Sequence, residues 1–394
     1  MIDFHIHDIL IQKIECPDAK YNAMSNMEFS MKTEWIVRVV LCSATFLLCV
    51  TVGAEDIANV RNDVLKYLTE LPNRSDKKVL SGQHAGDSQP LFNPFCAKNG
   101  YAKYVEALKT RTGKLVAITG FGYDVLGAPI QPMKNLLEVN AVAKTHWNRG
   151  GLVEIGSCGH NPWTGGPADD HKIKHNLAEA ITPGTTANRN WMKQLDNFAE
   201  ALADLQASGI VVLWRPFHEF NGDWFWWGAA ANGQDYIALW RHMHDYLTKT
   251  KKLHNLIWVW AGSREGGKWM QPLMKYYPGD AYVDIVGIDM YYDTLDTAAV
   301  KAYHDLSKLG KPFALAEYGP DNKTTTKTGT LDLTRLISQI KQVMPNVIYF
   351  KMWSDYNGTA GNMYWSIISN KRGAELLNDP WVINAEDVPK FGRP

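Results

Sequence analysis

Ile210-Val211-Val212-Leu213-Trp214-Arg215-Pro216-Phe217-His218-Glu219 is the stretch from which the fold can be read. Its apolar start lacks polar alternation, which indicates a strand buried on both faces, and Pro216 marks where such a strand stops. Glu219 is thereby delivered to the strand's C-terminal mouth. Outward from it, similar short apolar runs occur at 79–84, 115–120, 151–155, 256–260, 283–289, 313–316 and 347–353. Segments with helical periodicity lie at 57–71, 135–148, 191–206, 234–249, 298–309 and 331–343. Eight strands alternating with helices predict an α/β fold, a single (β/α)8 TIM barrel over residues 55–394. An open doubly wound sheet shares the alternation but wants a Gly-rich phosphate turn after its first strand. Ser81-Gly82-Gln83-His84-Ala85-Gly86 lacks that spacing.

On this count Glu219 closes strand four. Phe313-Ala314-Leu315-Ala316-Glu317-Tyr318-Gly319 is strand seven and also delivers a glutamate. Barrels of this kind gather their chemistry at the C-terminal strand ends, so both carboxylates should face one cleft. Such a pair suits hydrolysis of a glycosidic bond with retention: one group protonates the leaving oxygen while the other attacks the anomeric carbon from roughly 5 Å away. Beyond Glu219 come four aromatics in a loop, Trp224-Phe225-Trp226-Trp227, whose flat faces suit a pyranose. Taken singly, either glutamate would read as a partner for a cation such as Arg215, and the aromatics as a satellite core.

Residues 215–222 together with 224–228 resemble the signature of family 26 glycoside hydrolases, chiefly β-mannanases. The resemblance implies a retaining endo-β-1,4-mannanase acting on mannan, glucomannan or galactomannan, with no cofactor. It carries the acid/base role to Glu219 and the nucleophile to Glu317. Tyr291 at the end of strand six, in preference to Tyr292, is expected to touch the nucleophile, as is Arg215. His160 and His218 are expected to contact or orient the sugar, and Trp353 to form a floor under it. Trp224 and Trp227 are expected to line subsites, with Trp163, Trp226, Trp260 and Trp269 as weaker candidates. Gly159 departs from the family, in which many members carry an aromatic just before the histidine at 160. Related enzymes cut mixed-linked β-glucan or β-1,3-xylan, and the Trp-Phe-Trp-Trp loop leans toward mannan. The rivals are a non-catalytic mannan-binding barrel and a metal-dependent amidohydrolase, the latter suggested by His5-Ile6-His7.

The chain has 394 residues, 45% hydrophobic and 21% charged, with zero formal net charge. That balance gives no electrostatic case for nucleic acid or an anionic membrane, and it fits a neutral polysaccharide as partner. Residues 31–54 have a basic start, an apolar middle and a small-residue exit, the pattern of a secretory signal peptide. Residues 1–30 then read as a non-structural extension, and the mature protein as a secreted monomer free of the membrane. Cys96 and Cys158 would remain after cleavage, either paired or as two buried thiols. His242-Met243-His244 lies in a helical run, where residues two apart do not share a face, so no metal site is expected there.

Overall fold

The computed structural model describes residues 53–394, apart from 77, 90–95, 124–131, 158, 230–232, 268–269, 321–325, 359–360 and 394. The predicted extension, nearly all of the signal segment, the His5/His7 pair, Cys158 and Trp269 thus lie outside the described residues. Eight parallel strands follow in order: β1 (Val79–Asp87), β2 (Ile118–Gly122), β3 (Leu152–Ser157), β4 (Val212–Pro216), β5 (Leu256–Ser263), β6 (Ile285–Tyr291), β7 (Phe313–Gly319) and β8 (Val347–Met352). Each pairs with the next, and β8 returns to β1 with Leu80 opposite Tyr349 and Gln83 opposite Met352. The sheet is a closed barrel. Its strands read as apolar runs because helices cover the outside while side chains fill the inside.

Helices Met133–Asn148, Thr186–Ala207, Gln234–Asp245, Thr297–Ser307 and Thr334–Val343 lie on the periodic segments. Helical structure over 97–112, with a π turn at Tyr101–Glu106, was not legible in the sequence. Gly100 looks there like a breaker. It is a contact residue instead: a Cβ at that position would lie 1.8 Å from the carbonyl oxygen of Ala85 in β1.

Between β5 and β6 the described residues form only the 3-10 turns Leu273–Tyr276 and Asp280–Tyr282. The helix Gly53–Glu70 docks near this gap. Arg61 Nε donates to the Leu256 carbonyl at 3.0 Å, and its guanidinium pairs with Asp284. A short hairpin, β9 (Tyr356–Gly358) with β10 (Gly361–Met363), follows β8, and β11 (Val382–Ile383) lies along the start of β1. Among the described residues no helix is long and apolar enough to cross a membrane.

Candidate active site

Arg215, near the end of β4 and 1% exposed, is the hub of the barrel's polar interior. Its Nε donates to Glu154 Oε1 at 3.1 Å, its Nη1 to Asp289 Oδ2 at 2.9 Å, and its Nη2 to Glu317 Oε1. These carboxylates come from β3, β6 and β7. A buried cation is tolerable only when paired in this way, and pairing three times fixes the guanidinium plane.

Glu317 is aimed inward by a bulge. Leu315 pairs with Ile288 and Glu317 with the very next residue, Asp289, so Ala316 is the extra residue in β7. Tyr291 donates to Glu317 Oε2 at 2.7 Å, as expected, whereas Tyr292 lies under Arg264, 3.6 Å from guanidinium carbon to ring centroid. Burial alone would raise the Glu317 carboxyl. Arg215 foremost, with Lys351 and the Tyr291 hydrogen bond, overrides it and holds the group down at about 2.

Glu219 lies three residues beyond β4 on a strained turn. Phe217 and Glu219 have φ of 48° and 53°, unusual for residues with side chains. The Glu219 N–H donates to the Ala261 carbonyl at 3.0 Å, and Asn221 ties the loop to Ser263 in both directions. Trp224 Nε1 donates to Glu219 Oε2 at 2.6 Å. Gly222 makes room for that indole, since a Cβ there would lie 2.2 Å from the Trp224 ring. Burial first, and then the negative charge of Glu317, push Glu219 up to about 8 despite Trp224 and Arg215. Glu219 is therefore protonated and Glu317 ionised near neutral pH.

His218 is buried, and its imidazole is pushed down to about 3 by desolvation and by Arg215, so the ring is neutral. His218, Asp289 and Glu317 offer ligand atoms within 4.8 Å of one another. Both carboxylates already accept from Arg215, whose positive charge opposes a metal ion there. At His160 the backbone is clamped by Gln194, which accepts from its N–H at 2.7 Å and donates to its carbonyl at 3.0 Å. The preceding Gly159 has φ 62°, and a Cβ there would meet Trp191 at 3.2 Å, so an aromatic has no room.

Trp353, one residue past β8, is half-buried. His84 stacks on it with centroids 3.7 Å apart and planes at 11°, and Lys351 Nζ lies over the ring 5.1 Å from its centroid.

The aromatic loop corrects one expectation. Trp227 is fully buried, donates from its indole to the His218 carbonyl at 3.0 Å, and stacks on Phe225 at 4.4 Å. It supports His218 from below and presents no face to a sugar. Trp226 and Trp260 are likewise core residues, and Trp163 is half-buried against His175. Of the four aromatics at 224–227 only Trp224 is half-exposed.

The pattern that defines glycosyl hydrolase family 26 matches residues 55–387. The chain belongs to that family. Among its relatives, mannan endo-1,4-beta-mannosidase A and B of Caldalkalibacillus mannanilyticus is 33% identical over 338 residues, covering 83% of this chain and 61% of that protein. The chain thus spans less than two thirds of that relative's length. Mannan endo-1,4-beta-mannosidase of Bacillus subtilis is 31% identical over 335 residues, covering 82% of this chain and 85% of the relative. The solved structure of a Bacillus subtilis mannanase superposes with a TM-score of 0.70 at 28% identity, covering 82% of this chain and 92% of that one.

Several residues of this family 26 site escaped the sequence reading: Glu154, Asp289, Lys351, Tyr349, His84 and Trp365. Glu154, Asp289 and Lys351 carried a usable signal, because each is a charged residue inside an apolar strand and has to find a partner there. Asp289 is pushed well up by burial and by the neighbouring carboxylates, toward its neutral form. Trp365 flanks Tyr291 at 5.3 Å between centroids and carries no strand or motif signal.

Proposed function

We propose that this protein is a retaining endo-β-1,4-mannanase. The observation that carries the reading is the opposed ionisation of two carboxyls, Glu219 held up at about 8 and Glu317 down at about 2. Unequal environments of this kind assign an acid and a nucleophile. In the first step Glu317 attacks the anomeric carbon and forms an ester bond to it. The glycosidic C–O bond breaks as Glu219 gives its proton to the leaving oxygen. In the second step ionised Glu219 takes a proton from water, whose oxygen attacks the same carbon and releases Glu317 as a carboxylate. The negative charge moves from Glu317 to Glu219 and back, so the net charge beside Arg215 stays constant through the cycle.

Mannan as substrate is supported by the names of the relatives, which are mannan endo-1,4-beta-mannosidases. The half-exposed Trp224 suits the apolar face of a hexose. Export rests on the signal-like pattern of residues 31–54. The product profile on mannan, glucomannan, lichenan and xylan tests the substrate. A ladder of manno-oligosaccharides from mannan is expected, and cleavage of lichenan or xylan alone would overturn the mannan reading.

A further inference from the structure

Behind Arg215, away from the two glutamates that exchange the proton and the sugar, lies a second charged group with no part in the chemistry above. Glu154 in β3 is fully buried. Its Oε1 accepts from Arg215 Nε at 3.1 Å and from Lys351 Nζ, and its Oε2 accepts from the Tyr349 hydroxyl at 3.0 Å. Lys351 is 1% exposed and reaches Glu154 across the barrel interior from β8. The fold keeps that path open with glycine: a Cβ at Gly120 in β2 would stand 2.7 Å from the Lys351 Cδ and 3.2 Å from its Nζ.

Burying two cations and a carboxylate costs several kcal/mol per ion before pairing, and apolar residues of the same volume could fill this space without that cost. For stability alone the arrangement is a poor choice. Its geometric effect is specific. Arg215 has three partners on three strands, and Glu154 holds the Nε edge, which fixes the plane in which Nη1 meets Asp289 and Nη2 meets Glu317. Lys351 and Tyr349 in turn fix Glu154 at both of its oxygens.

We propose that Glu154, braced by Lys351 and Tyr349, is a positioning residue that aligns Arg215 on the carboxylate of Glu317 and thereby sets the reactivity of the nucleophile. The inference rests on Glu317 being the nucleophile. Supporting groups of this kind are needed wherever a reacting side chain has to be held within a fraction of an ångström.

The test uses the full chain carrying Glu154→Gln with Lys351→Met. This double variant leaves the net charge unchanged and puts two neutral groups of similar size in place of the buried pair. Glu154→Asp, which keeps the charge but shortens the arm, is the second variant, and near-UV circular dichroism confirms the fold of each. The readout is the rate of trapping by 2-deoxy-2-fluoro-β-mannobiosyl fluoride, whose leaving fluoride needs little help from Glu219, so the rate isolates the nucleophile.

In wild-type protein the label should appear on Glu317; label elsewhere would sink the functional reading itself. With wild type labelled at Glu317, both variants are expected to trap about a hundredfold more slowly. The acid limb of the trapping rate should also move to higher pH, because Glu317 loses part of its contact with Arg215. Arg215, His218, Glu219, Asp289, Tyr291 and Lys351 all face Glu317. The acid limb is read in Glu154→Asp, which keeps every one of these charges, whereas the double variant also removes the Lys351 charge that itself lowers Glu317. Trapping at the wild-type rate in either folded variant would overturn the inference. So would an acid limb of Glu154→Asp that stays in place or moves to lower pH, the sign of a purely structural role.

Discussion

Trp224 donates its indole N–H to Oε2 of Glu219 at 2.6 Å, five residues along the same loop. A donor favours the ionised carboxylate, so this bond works against the burial and the Glu317 charge that hold Glu219 protonated. Trp224→Phe keeps a ring and removes the donor. Glu219 should then rise further, moving the alkaline limb of kcat/KM up by about one pH unit, since a hydrogen bond to a charged group contributes about 1.5–3 kcal/mol. An unchanged or lowered alkaline limb would contradict this.

Tyr291 and Arg215 hold the two oxygens of Glu317 separately, Oε2 by a 2.7 Å bond and Oε1 by the guanidinium. Tyr291→Phe deletes one of the two. The expected effect is a fall in kcat/KM of about 10–100-fold with the acid limb displaced upward. A fall confined to KM, with the limb unmoved, would show that Tyr291 only binds sugar.

The acid is held at a cost in stability. A carboxyl near 8 in the folded state and about 4.3 when unfolded binds more protons folded than unfolded between those values, so its contribution declines as pH rises through that window. Glu317, held near 2, acts in the opposite sense: its contribution is present above about 4.3 and lost as pH falls toward 2. Glu219→Gln should therefore raise the melting temperature at pH 8 and change it little at pH 4. Equal shifts at both pH values would show that Glu219 carries no such strain.

Trp227 and Trp224 are three residues apart and should separate cleanly. Trp227→Ala opens a cavity against Phe217, Phe225 and Trp226 and should cost about 3–5 kcal/mol in chemical denaturation. Trp224→Phe should leave the denaturation midpoint almost unchanged while altering the pH profile. Denaturation midpoints that fall equally in the two variants would contradict the division of the loop into a core half and a site half.

The barrel was legible because its strands are continuous apolar runs, a pattern that survives without knowing which strand pairs with which. Glu219 and Glu317 were legible for the related reason that each follows such a run. The roles of Trp224 and Trp227 were not, since neighbouring identical side chains on a loop are sorted only by backbone direction, here by the left-handed turn at Phe217 and Glu219. The network through Glu154, Asp289 and Lys351 was half visible: each announces a buried charge, but that Glu154 and Asp289 share Arg215, and that Lys351 reaches Glu154 from β8 across the interior, follows only from the barrel's closure. The helical run over 97–112 had no reading in the sequence, and the reason for Gly100 within it, a close approach to β1, is a tertiary contact.

The account stands on Glu317 attacking the sugar directly while Glu219 supplies the proton. The measurement closest to that claim is the anomeric configuration of the first product, followed by proton NMR within the first minutes of hydrolysis of a manno-oligosaccharide. Double displacement predicts that the β-anomer appears first and the α-anomer only by later mutarotation. Initial appearance of the α-anomer would mean a single displacement by water, and Glu317 could not then be the nucleophile.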